Sequence, residues 1–366
     1  MATPNNALEY LMSKTQVDLD CLDVRVSTEL GPFVDCTSNQ ADAYCELINP
    51  RHADLLKKTA ALANEIKGHY HSVNFEELAM ELSMLSLAMS ISPNITGACL
   101  VMVNPRYSYS TTKIIDNGQR LYRLCKFLDP DFDLSRLIIK VPSTWEGMQA
   151  CRKLKSLNVK TLATTLFSME QAVLAAEAGV VYISPFLNDL RATFDSSIQD
   201  PNPIFDIVVQ AQRYYEQHSY ATRVKACCAV NAEQILQVAG VHAYTAPADQ
   251  LRELASMQEP VAKLVKRSRF KEELSDENMN GDANGHTNGD TNAHTNGNTN
   301  GHINGDNTGK MEKLSFIDDE SSFRLAFSRA DEGRAQMKTT QALNLFSDYQ
   351  IKAEALMRDN DLTKIG

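Results

Sequence analysis

The feature that most constrains the fold is a series of eight strand-like segments, most of them followed by an amphipathic helical segment. The strands are predicted at residues 17–23, 33–39, 98–103, 137–141, 160–167, 180–186, 224–230 and 242–247. Helical segments such as "STWEGMQACRKLKSL" and "SMEQAVLAAEAG" lie between them, and the second ends at Gly179, the residue type expected just past a helix. The length of 366 residues allows one barrel or two smaller domains. Eight strand–helix units favour an α/β fold of the (β/α)8 TIM-barrel type over an open doubly wound sheet.

The segment "LIIKVPSTWEG", residues 137–147, places a lysine at the end of an apolar run. In a strand Lys140 shares a face with Ile138, and the opposite face is also apolar. Such a strand is typical of a parallel sheet covered by helices. Ser143 and Glu146 have capping-box spacing and predict a helix start directly behind it. Lys140 is therefore expected at the carboxyl end of a central strand, where the active sites of barrels lie.

The charge of the chain limits the class of partner. The net charge is −10 and the isoelectric point is near 5.4. An acidic protein gains no counterion release on nucleic acid or on an anionic membrane, so neither is an expected partner. No apolar run reaches the ~18 residues that span a bilayer, and the start "MATPNNALEYLMSK" lacks the order of a cleavable signal. We expect a soluble, cytoplasmic protein that binds a small molecule or another protein, and the sequence allows a homodimer.

The eight cysteines do not predict a metal site or a disulfide framework. They show neither metal-ligand spacing nor the density of a small secreted scaffold, and Cys227 and Cys228 are adjacent within an apolar run. We expect most of them to be reduced core residues.

Residues 275–310 differ from the rest of the chain in composition. They are mainly Asn, Gly, Thr, His and Asp with no aromatic residue, and such a segment buries too little apolar surface to offset its ordering entropy. His286, His294 and His302 recur every eight residues, which suggests either weak metal binding or, as we prefer, a slipped repeat in a disordered loop. Residues 313–360 are helical in period. The prediction is one barrel domain of 366 residues with a disordered insertion and C-terminal helices packed on the barrel.

A lysine at a barrel mouth suggests covalent chemistry on a carbonyl group. A desolvated amine such as that of Lys140 can attack a ketone and form an imine, which withdraws electrons while a carbon–carbon bond breaks or forms. An acid/base group is also required, and the candidates at other strand ends are Asp20, Asn39, Thr164 and Ser184. Each has an alternative: the aspartate could stabilise a turn, the asparagine and the threonine could cap helices, and the lysine could be solvated.

Four motifs together resemble those of the transaldolase family of class I aldolases: "DLDCLD", "DCTSNQ", "LIIKVPSTWEG" and "TLFSMEQAVLAAEAGVVYISPF". The resemblance extends from about Leu8 to Leu356, outside the Asn/Gly-rich segment. It implies a (β/α)8 barrel that transfers a three-carbon dihydroxyacetone unit between sugar phosphates. The reaction of that family proceeds through a lysine imine with no cofactor and no metal.

The resemblance also implies a role for each matching residue. Lys140 would form the imine, Asp20 would be the acid/base group for aldol cleavage, and Thr164 would help to hold a catalytic water. Three residues would bind the dihydroxyacetone unit, the first two through its hydroxyls: Asn39, Ser184 and Phe186.

The sequence departs from the family pattern at four positions. Met102 stands where the family has a glutamate that works with the water and the aspartate, and Leu162 replaces an asparagine. Asp189 and Val230 stand where two arginines would hold the substrate phosphate. A carboxylate there repels a phosphate, and Arg191 could compensate only if its side chain pointed into the site.

Three hypotheses follow. The leading one is a transaldolase-type enzyme that makes or breaks a carbon–carbon bond on a carbonyl or sugar substrate without phosphate. The second is an ordinary pentose-phosphate transaldolase that acts on sedoheptulose 7-phosphate and glyceraldehyde 3-phosphate with other cations at the phosphate site. The third is a catalytically silent barrel that binds a metabolite or a protein. The presence of both Lys140 and Asp20 argues against the third, because a silent barrel does not need a desolvated amine.

Overall fold

A computed structural model describes residues 4–271 and 311–360. Its centre is a closed barrel in which each strand pairs in parallel with the next and the last pairs with the first. The strands are β1 (Gln16–Asp20), β2 (Cys36–Thr37), β3 (Cys99–Met102), β4 (Leu137–Pro142), β5 (Lys160–Leu166), β6 (Tyr182–Pro185), β7 (Arg223–Ala226) and β8 (Ala243–Ala246). Each of the eight predicted segments overlaps one of them. The predicted (β/α)8 TIM barrel is therefore confirmed.

Helices surround the barrel, and the C-terminal ones also contact it. In chain order the α-helices of the described residues are α1 (Ala7–Lys14), α2 (Val24–Leu30), α3 (Gln40–Leu47), α4 (Ala53–Ile66), α5 (Phe75–Ile91), α6 (Thr111–Leu128), α7 (Trp145–Ser156), α8 (Met169–Ala178), α9 (Phe205–Gln217), α10 (Ala232–Gln237), α11 (Ala248–Ser256), α12 (Val261–Arg267), α13 (Glu320–Arg329) and α14 (Arg334–Asp359). Helix α5 is the most apolar and is buried around most of its circumference, because α4, α6 and α14 all pack against it.

Two local predictions about helix ends have different outcomes. The capping box at Ser143 is wrong: Thr144 is the N-cap of α7, and its hydroxyl accepts from the Gly147 N–H at 2.9 Å. The Ser143 hydroxyl instead donates to the Thr164 carbonyl on the neighbouring strand at 2.7 Å. The helix end at Gly179 is confirmed, since this residue terminates α8 with a φ of 77°, a conformation that glycine adopts without strain.

The interior of the barrel is apolar at mid-height and charged below. Alternate strand residues point inward, so Ile138 packs with Leu100 and Leu162 inside the barrel. One layer below, the fully buried Lys225 forms ion pairs with Asp18 and Asp35. By the same alternation Lys140, two residues after Ile138, lies above the apolar layer, at the carboxyl end of β4.

The remaining predictions about composition concern cysteines, membranes and the polar segment. All eight cysteines are free, and five of them are buried: Cys36, Cys99, Cys125, Cys151 and Cys227. No helix in the described residues is long and apolar enough to cross a bilayer. The predicted disordered segment, residues 275–310 with its three histidines, lies outside the described residues.

Candidate active site

Lys140 lies in β4 between Met102 of β3 and Leu162 of β5. It is only 5% exposed, and its amine forms no salt bridge or hydrogen bond with residues 4–271 or 311–360. The other lysine of the barrel interior is Lys225, which has two carboxylate partners. Burial acts to lower the pKa of Lys225, but its carboxylate partners outweigh burial and leave that pKa raised. Of these two lysines, Lys140 is therefore the one whose amine is available for chemistry.

Asp20 ends β1 and is held in place by a chain of hydroxyl groups. The Thr37 hydroxyl donates to Asp20 Oδ1 at 2.5 Å, and Thr37 lies 2.7 Å from the Thr245 hydroxyl. Because Thr37 uses its proton on the carboxylate, Thr245 must donate to Thr37. Residues from β1, β2 and β8 thus orient one carboxylate at the mouth of the barrel.

Thr164 lies in β5, where an irregularity interrupts the pairing with β6. The next residue, Thr165, has a φ of 55°, which is rare for a β-branched residue and is typical of functional sites. Two bonds from Ser143 to the Thr164 carbonyl, at 2.8 and 2.7 Å, hold the strand there. The Thr164 side chain is 1% exposed, and its buried hydroxyl has no partner in the described part of the chain. An unused hydroxyl of this kind is suited to a substrate or a water.

Ser184 lies on the inner side of β6, and Phe186 lies two residues later, just past the end of that strand. The Ser184 hydroxyl lies 3.2 Å from the Cys227 thiol of the adjacent segment. Phe186 is 3% exposed and makes edge contacts with Phe167 at a ring-centroid distance of 5.6 Å and with Phe346 at 6.4 Å. Phe346 belongs to α14, so the C-terminal helix forms an apolar roof over this side of the mouth.

Asn39 is the N-cap of α3, as one of its alternative interpretations allowed. Its Oδ1 accepts from the Ala41 and Asp42 N–H groups at 2.8 and 3.1 Å. Its Nδ2 donates to the carboxylate of Asp42 at 2.6 Å. The amide therefore fixes the start of α3, keeps one N–H for another acceptor and orients a carboxyl group that sequence reasoning missed.

Asp42 and Cys228 share an electrostatic environment with Asp20 and Lys140. Burial is the largest effect on Asp42, and the Asp20 charge adds to it, so the pKa of Asp42 is raised well above its usual value although Lys140 acts in the opposite direction. Burial, followed by Cys227 and Asp20, also raises the pKa of the Cys228 thiol. The mouth thus combines one carboxylate fixed by hydroxyls with a second carboxyl group that favours its protonated form.

The position expected to bind phosphate is occupied by an internal ion-pair network. Arg191 folds back on Asp189, with Nε 3.1 Å and Nη2 2.6 Å from its carboxylate oxygens. Lys338 of α14 donates to Asp200 at 2.7 Å, and Asp200 accepts from the backbone N–H of Asp189. Burial acts to raise the pKa of Asp189, but Arg191 outweighs it and the pKa is lowered. Two acids and two bases therefore neutralise one another here, and Asp189 is ionised.

Sequence reasoning missed Asp42, Phe346, Lys338 and Asp200. Asp42 was visible as the acid three residues after a helix cap, a position where acids commonly stabilise the helix dipole. The other three carried no local signal, because they come from α14 and from a loop that fold back over the mouth. No group of three His, Cys, Asp or Glu side chains in the described ranges could hold a metal ion.

Comparisons with known proteins identify the family. A family model described as transaldolase/fructose-6-phosphate aldolase matches residues 17–292. A transaldolase of Alteromonas mediterranea is 31% identical over 258 residues, which cover 69% of this chain and 79% of the relative. A transaldolase of Glaesserella parasuis is 30% identical, with 74% and 84% of the two chains covered. A probable transaldolase of Dictyostelium discoideum is 30% identical, with 68% and 78% covered. The chain therefore belongs to the transaldolase/fructose-6-phosphate aldolase family and is a transaldolase-type aldolase.

Proposed function

We propose that Lys140 forms the imine of the aldol reaction, that Asp20 moves the proton at the carbon–carbon bond, and that Thr164 holds the water. The observation that carries the proposal is a pair of unsatisfied polar groups on adjacent strands. The hydroxyl of Thr164 is buried without a partner among the described residues. The side chain of Lys140 is only 5% exposed, and its amine forms no salt bridge or hydrogen bond within the same residues. Unpaired buried polar groups destabilise a fold, so their presence is typical of a functional site.

The chemistry requires four steps. The amine adds to the ketone carbonyl, and loss of water gives the iminium ion. Asp20 then takes the proton of the hydroxyl β to the iminium carbon, and the carbon–carbon bond breaks to release an aldehyde and leave an enamine. The enamine attacks an acceptor aldehyde while Asp20 returns its proton to the new alkoxide. Hydrolysis of the imine releases the product ketone. The hydroxyl chain from Thr245 through Thr37 supports this role of Asp20 by fixing its carboxylate.

The test is borohydride reduction in the presence of dihydroxyacetone, fructose or fructose 6-phosphate, followed by peptide mass analysis. The wild type should acquire an adduct at Lys140, and Lys140→Ala should not. Lys160→Ala is the matched control because it removes an exposed lysine from the other end of the next strand. Asp20→Asn should still form the adduct but turn over about 10²- to 10⁴-fold more slowly. A wild type that never acquires an adduct would instead support the catalytically silent barrel.

We also propose that the substrate carries no phosphate at the position of Asp189. A hydrogen bond to a charged group contributes roughly 1.5–3 kcal/mol, so the absence of two arginine contacts weakens selection for phosphate by about 3–6 kcal/mol. Alternative cations are already engaged: Arg191 with Asp189, Lys225 inside the barrel, and Arg106 with Glu354. The apolar roof formed by Phe346 is consistent with an uncharged substrate.

The corresponding measurement is kcat/KM for fructose 6-phosphate against fructose, with erythrose 4-phosphate against erythrose as acceptors. We expect little preference for the phosphorylated member of each pair. The double variant Asp189→Arg with Val230→Arg should restore some preference, because it returns two cations to the site. If the wild type prefers the phosphorylated compounds by more than about 100-fold, or about 2.7 kcal/mol, the ordinary pentose-phosphate transaldolase is the correct assignment.

A further inference from the structure

A row of aromatic rings runs from the mouth of the barrel to its rim. Within the mouth, Phe186 lies between Phe167 and Phe346, at ring-centroid distances of 5.6 and 6.4 Å. Tyr349 lies one turn after Phe346 on α14 and packs against the same apolar cluster. The centre of its ring is 5.7 Å from that of Phe194, and the two planes are tilted by 34°. The row thus leads from buried rings to Phe194, which is 48% exposed.

Three separate elements bring the rings at the rim together. Phe194 directly follows a short 3-10 helix, Leu190–Thr193, which packs against α14. Tyr44 of α3 also contacts Tyr349, with the ring centres 5.9 Å apart. The aromatic rim is therefore the group Tyr44, Tyr349 and Phe194. Its third member belongs to the same segment as Asp189, one of the two positions where a phosphate-binding arginine was expected.

The aromatic rim offers apolar surface that the folded chain leaves uncovered. Because Phe194 is half exposed, it gains only part of the stabilisation that full burial gives a phenylalanine. Exposed apolar surface that continues into a buried apolar cluster is typical of a ligand-binding site. Charged groups earlier in the same segment neutralise each other, since Arg191 pairs with Asp189. The row therefore suits an uncharged apolar body, and aromatic rings favour another ring at about 4.5–7 Å.

We propose that the acceptor aldehyde of the aldol reaction carries an aromatic ring, and that Phe194 and Tyr349 determine this specificity. The inference rests on the proposed function, because the acceptor reacts with the enamine held by Lys140. The ring of the acceptor lies along the row, and its carbonyl group reaches into the mouth. A short sugar aldehyde has no apolar body to place against these rings, so it gains nothing from them.

The test compares two acceptors with fructose as the donor: 3-phenylpropanal, which carries a ring, and erythrose, which does not. Initial rates of formation of each aldol product give kcat/KM, and the ratio of the two values is the readout. The intrinsic reactivity of each aldehyde cancels when this ratio is compared between variants. The wild type should favour 3-phenylpropanal. Phe194→Ala and Tyr349→Ala should each lower the ratio by about tenfold, whereas Phe194→Tyr keeps a ring and should retain it.

Lys352→Ala is the matched control. Its exposed ammonium lies 4.8 Å from the centre of the Tyr349 ring, so the change removes a side chain from the aromatic rim but no ring. The ratio should not change. Melting temperatures identify the variants that fold, and the half-exposed position of Phe194 makes its substitution well tolerated.

Borohydride trapping in the same preparations separates this inference from the proposed function. If the wild type forms no adduct with fructose, the imine proposal fails and the inference fails with it. If the adduct forms but erythrose is the favoured acceptor, only the aromatic specificity is overturned. The same conclusion follows if the folded alanine variants of Phe194 and Tyr349 keep the ratio within about threefold of the wild type, or if Lys352→Ala lowers it equally.

Discussion

The contrast between two buried lysines shows how one barrel separates structure from chemistry. Lys225 is completely buried, but Asp18 and Asp35 compensate its charge and its ammonium also lies 4.3 Å from the centre of the Tyr182 ring. Removal of Lys225 would leave two buried carboxylates without an opposite charge, although each keeps other hydrogen bonds, and this is strongly destabilising. Lys140 has no such partner within the described ranges and contributes nothing comparable to stability. Lys225 therefore serves the fold, and Lys140 is the lysine to which we assign the imine in the proposed function.

At Thr164 we predict that stability and activity change in opposite directions. Valine has nearly the shape of threonine but no hydroxyl, and the hydroxyl of Thr164 is buried without a partner in the described structure. Thr164→Val should therefore raise the free energy of unfolding by about 1–2 kcal/mol, because an unsatisfied polar group is removed. The same change should lower kcat by about 10²-fold if the hydroxyl orients a water. Urea denaturation and steady-state kinetics measure the two effects.

The control for this prediction is Thr37→Val. The Thr37 hydroxyl bonds to both Asp20 and Thr245, so its loss should lower the free energy of unfolding by about 1–3 kcal/mol. A Thr164→Val protein that is destabilised as much as Thr37→Val would show that the Thr164 hydroxyl has a structural partner, and the proposed role in holding water would then be wrong.

At the scale of single residues, the sequence predicted those positions that follow from the local alternation of apolar residues. Lys140 was placed correctly at the end of an inward-facing face because the alternation of β4 is visible in four residues. The N-cap of α7 was misplaced by one residue, because Ser143 and Thr144 are both good capping residues and only the bond from Ser143 to β5 decides between them. Asp42 was missed because a helix-starting acid has the same local pattern whether it stabilises a helix or serves a reaction.

Secondary-structure elements were predictable in number and order but not in their long-range packing. The roof over the active site comes from α14, which begins 194 residues after Lys140 in the chain. Its residues Ala335, Ala342 and Phe346 pack with Met102 and other residues of the mouth. The helical period of residues 313–360 indicates an amphipathic helix, but not the surface that its apolar face covers.

The rim between β7 and β8 provides a pH-dependent contact. His242 Nδ1 accepts from the Val224 N–H at 3.1 Å, so the ring is neutral there and protonation would break the bond. Glu216 approaches Nε2 at 3.6 Å but is mostly exposed and offers little compensation. Burial and then the Arg223 charge lower the pKa of His242 to about 4, against 6.5 for a free histidine. The unfolded chain therefore takes up this proton at a higher pH than the folded protein does.

We predict that His242 makes the protein acid-sensitive between pH 6.5 and pH 4. Because its folded-state pKa is lowered, its contribution is complete above pH 6.5 and is lost as the pH falls through this window. The ring is partly exposed and screened by solvent, so the loss is smaller than the roughly 3 kcal/mol of the full pKa difference. His242→Asn keeps an acceptor for Val224 but does not titrate, so its free energy of unfolding should fall less on acidification. Urea denaturation at several pH values checks this. The exposed His69→Asn is the control, and parallel curves for wild type and His242→Asn would contradict the prediction.

After the polar segment, residues 311–316 attach the chain to the helices around the barrel. The Met311 N–H donates to Gln217 Oε1 at 3.1 Å, and the Leu314 N–H donates to the Tyr214 hydroxyl at 3.0 Å. The Phe316 N–H donates to Glu177 at 2.7 Å, so residues 311–316 are attached to both α9 and α8. Its position follows from contacts with surrounding helices, and no feature of the local sequence indicated it. By contrast, the eight strand–helix units that define the barrel repeat locally and were predictable.

The last prediction is that residues 275–310 contribute nothing to the stability of the barrel. Their composition cannot support a packed core, and the entropy of closing a loop depends only weakly on its length. Replacing residues 275–310 with a short Gly/Ser linker should change the free energy of unfolding by less than about 1 kcal/mol and leave kcat/KM unchanged. Tyr214→Phe is the sensitivity control, because it removes the hydroxyl that accepts from the Leu314 N–H and should lower the free energy of unfolding by about 1 kcal/mol.

A melting temperature that falls by about ten degrees, which corresponds to several kcal/mol for a chain of this size, would show that the segment packs on the barrel. Loss of a stoichiometric zinc ion together with the three histidines would show instead that it binds metal.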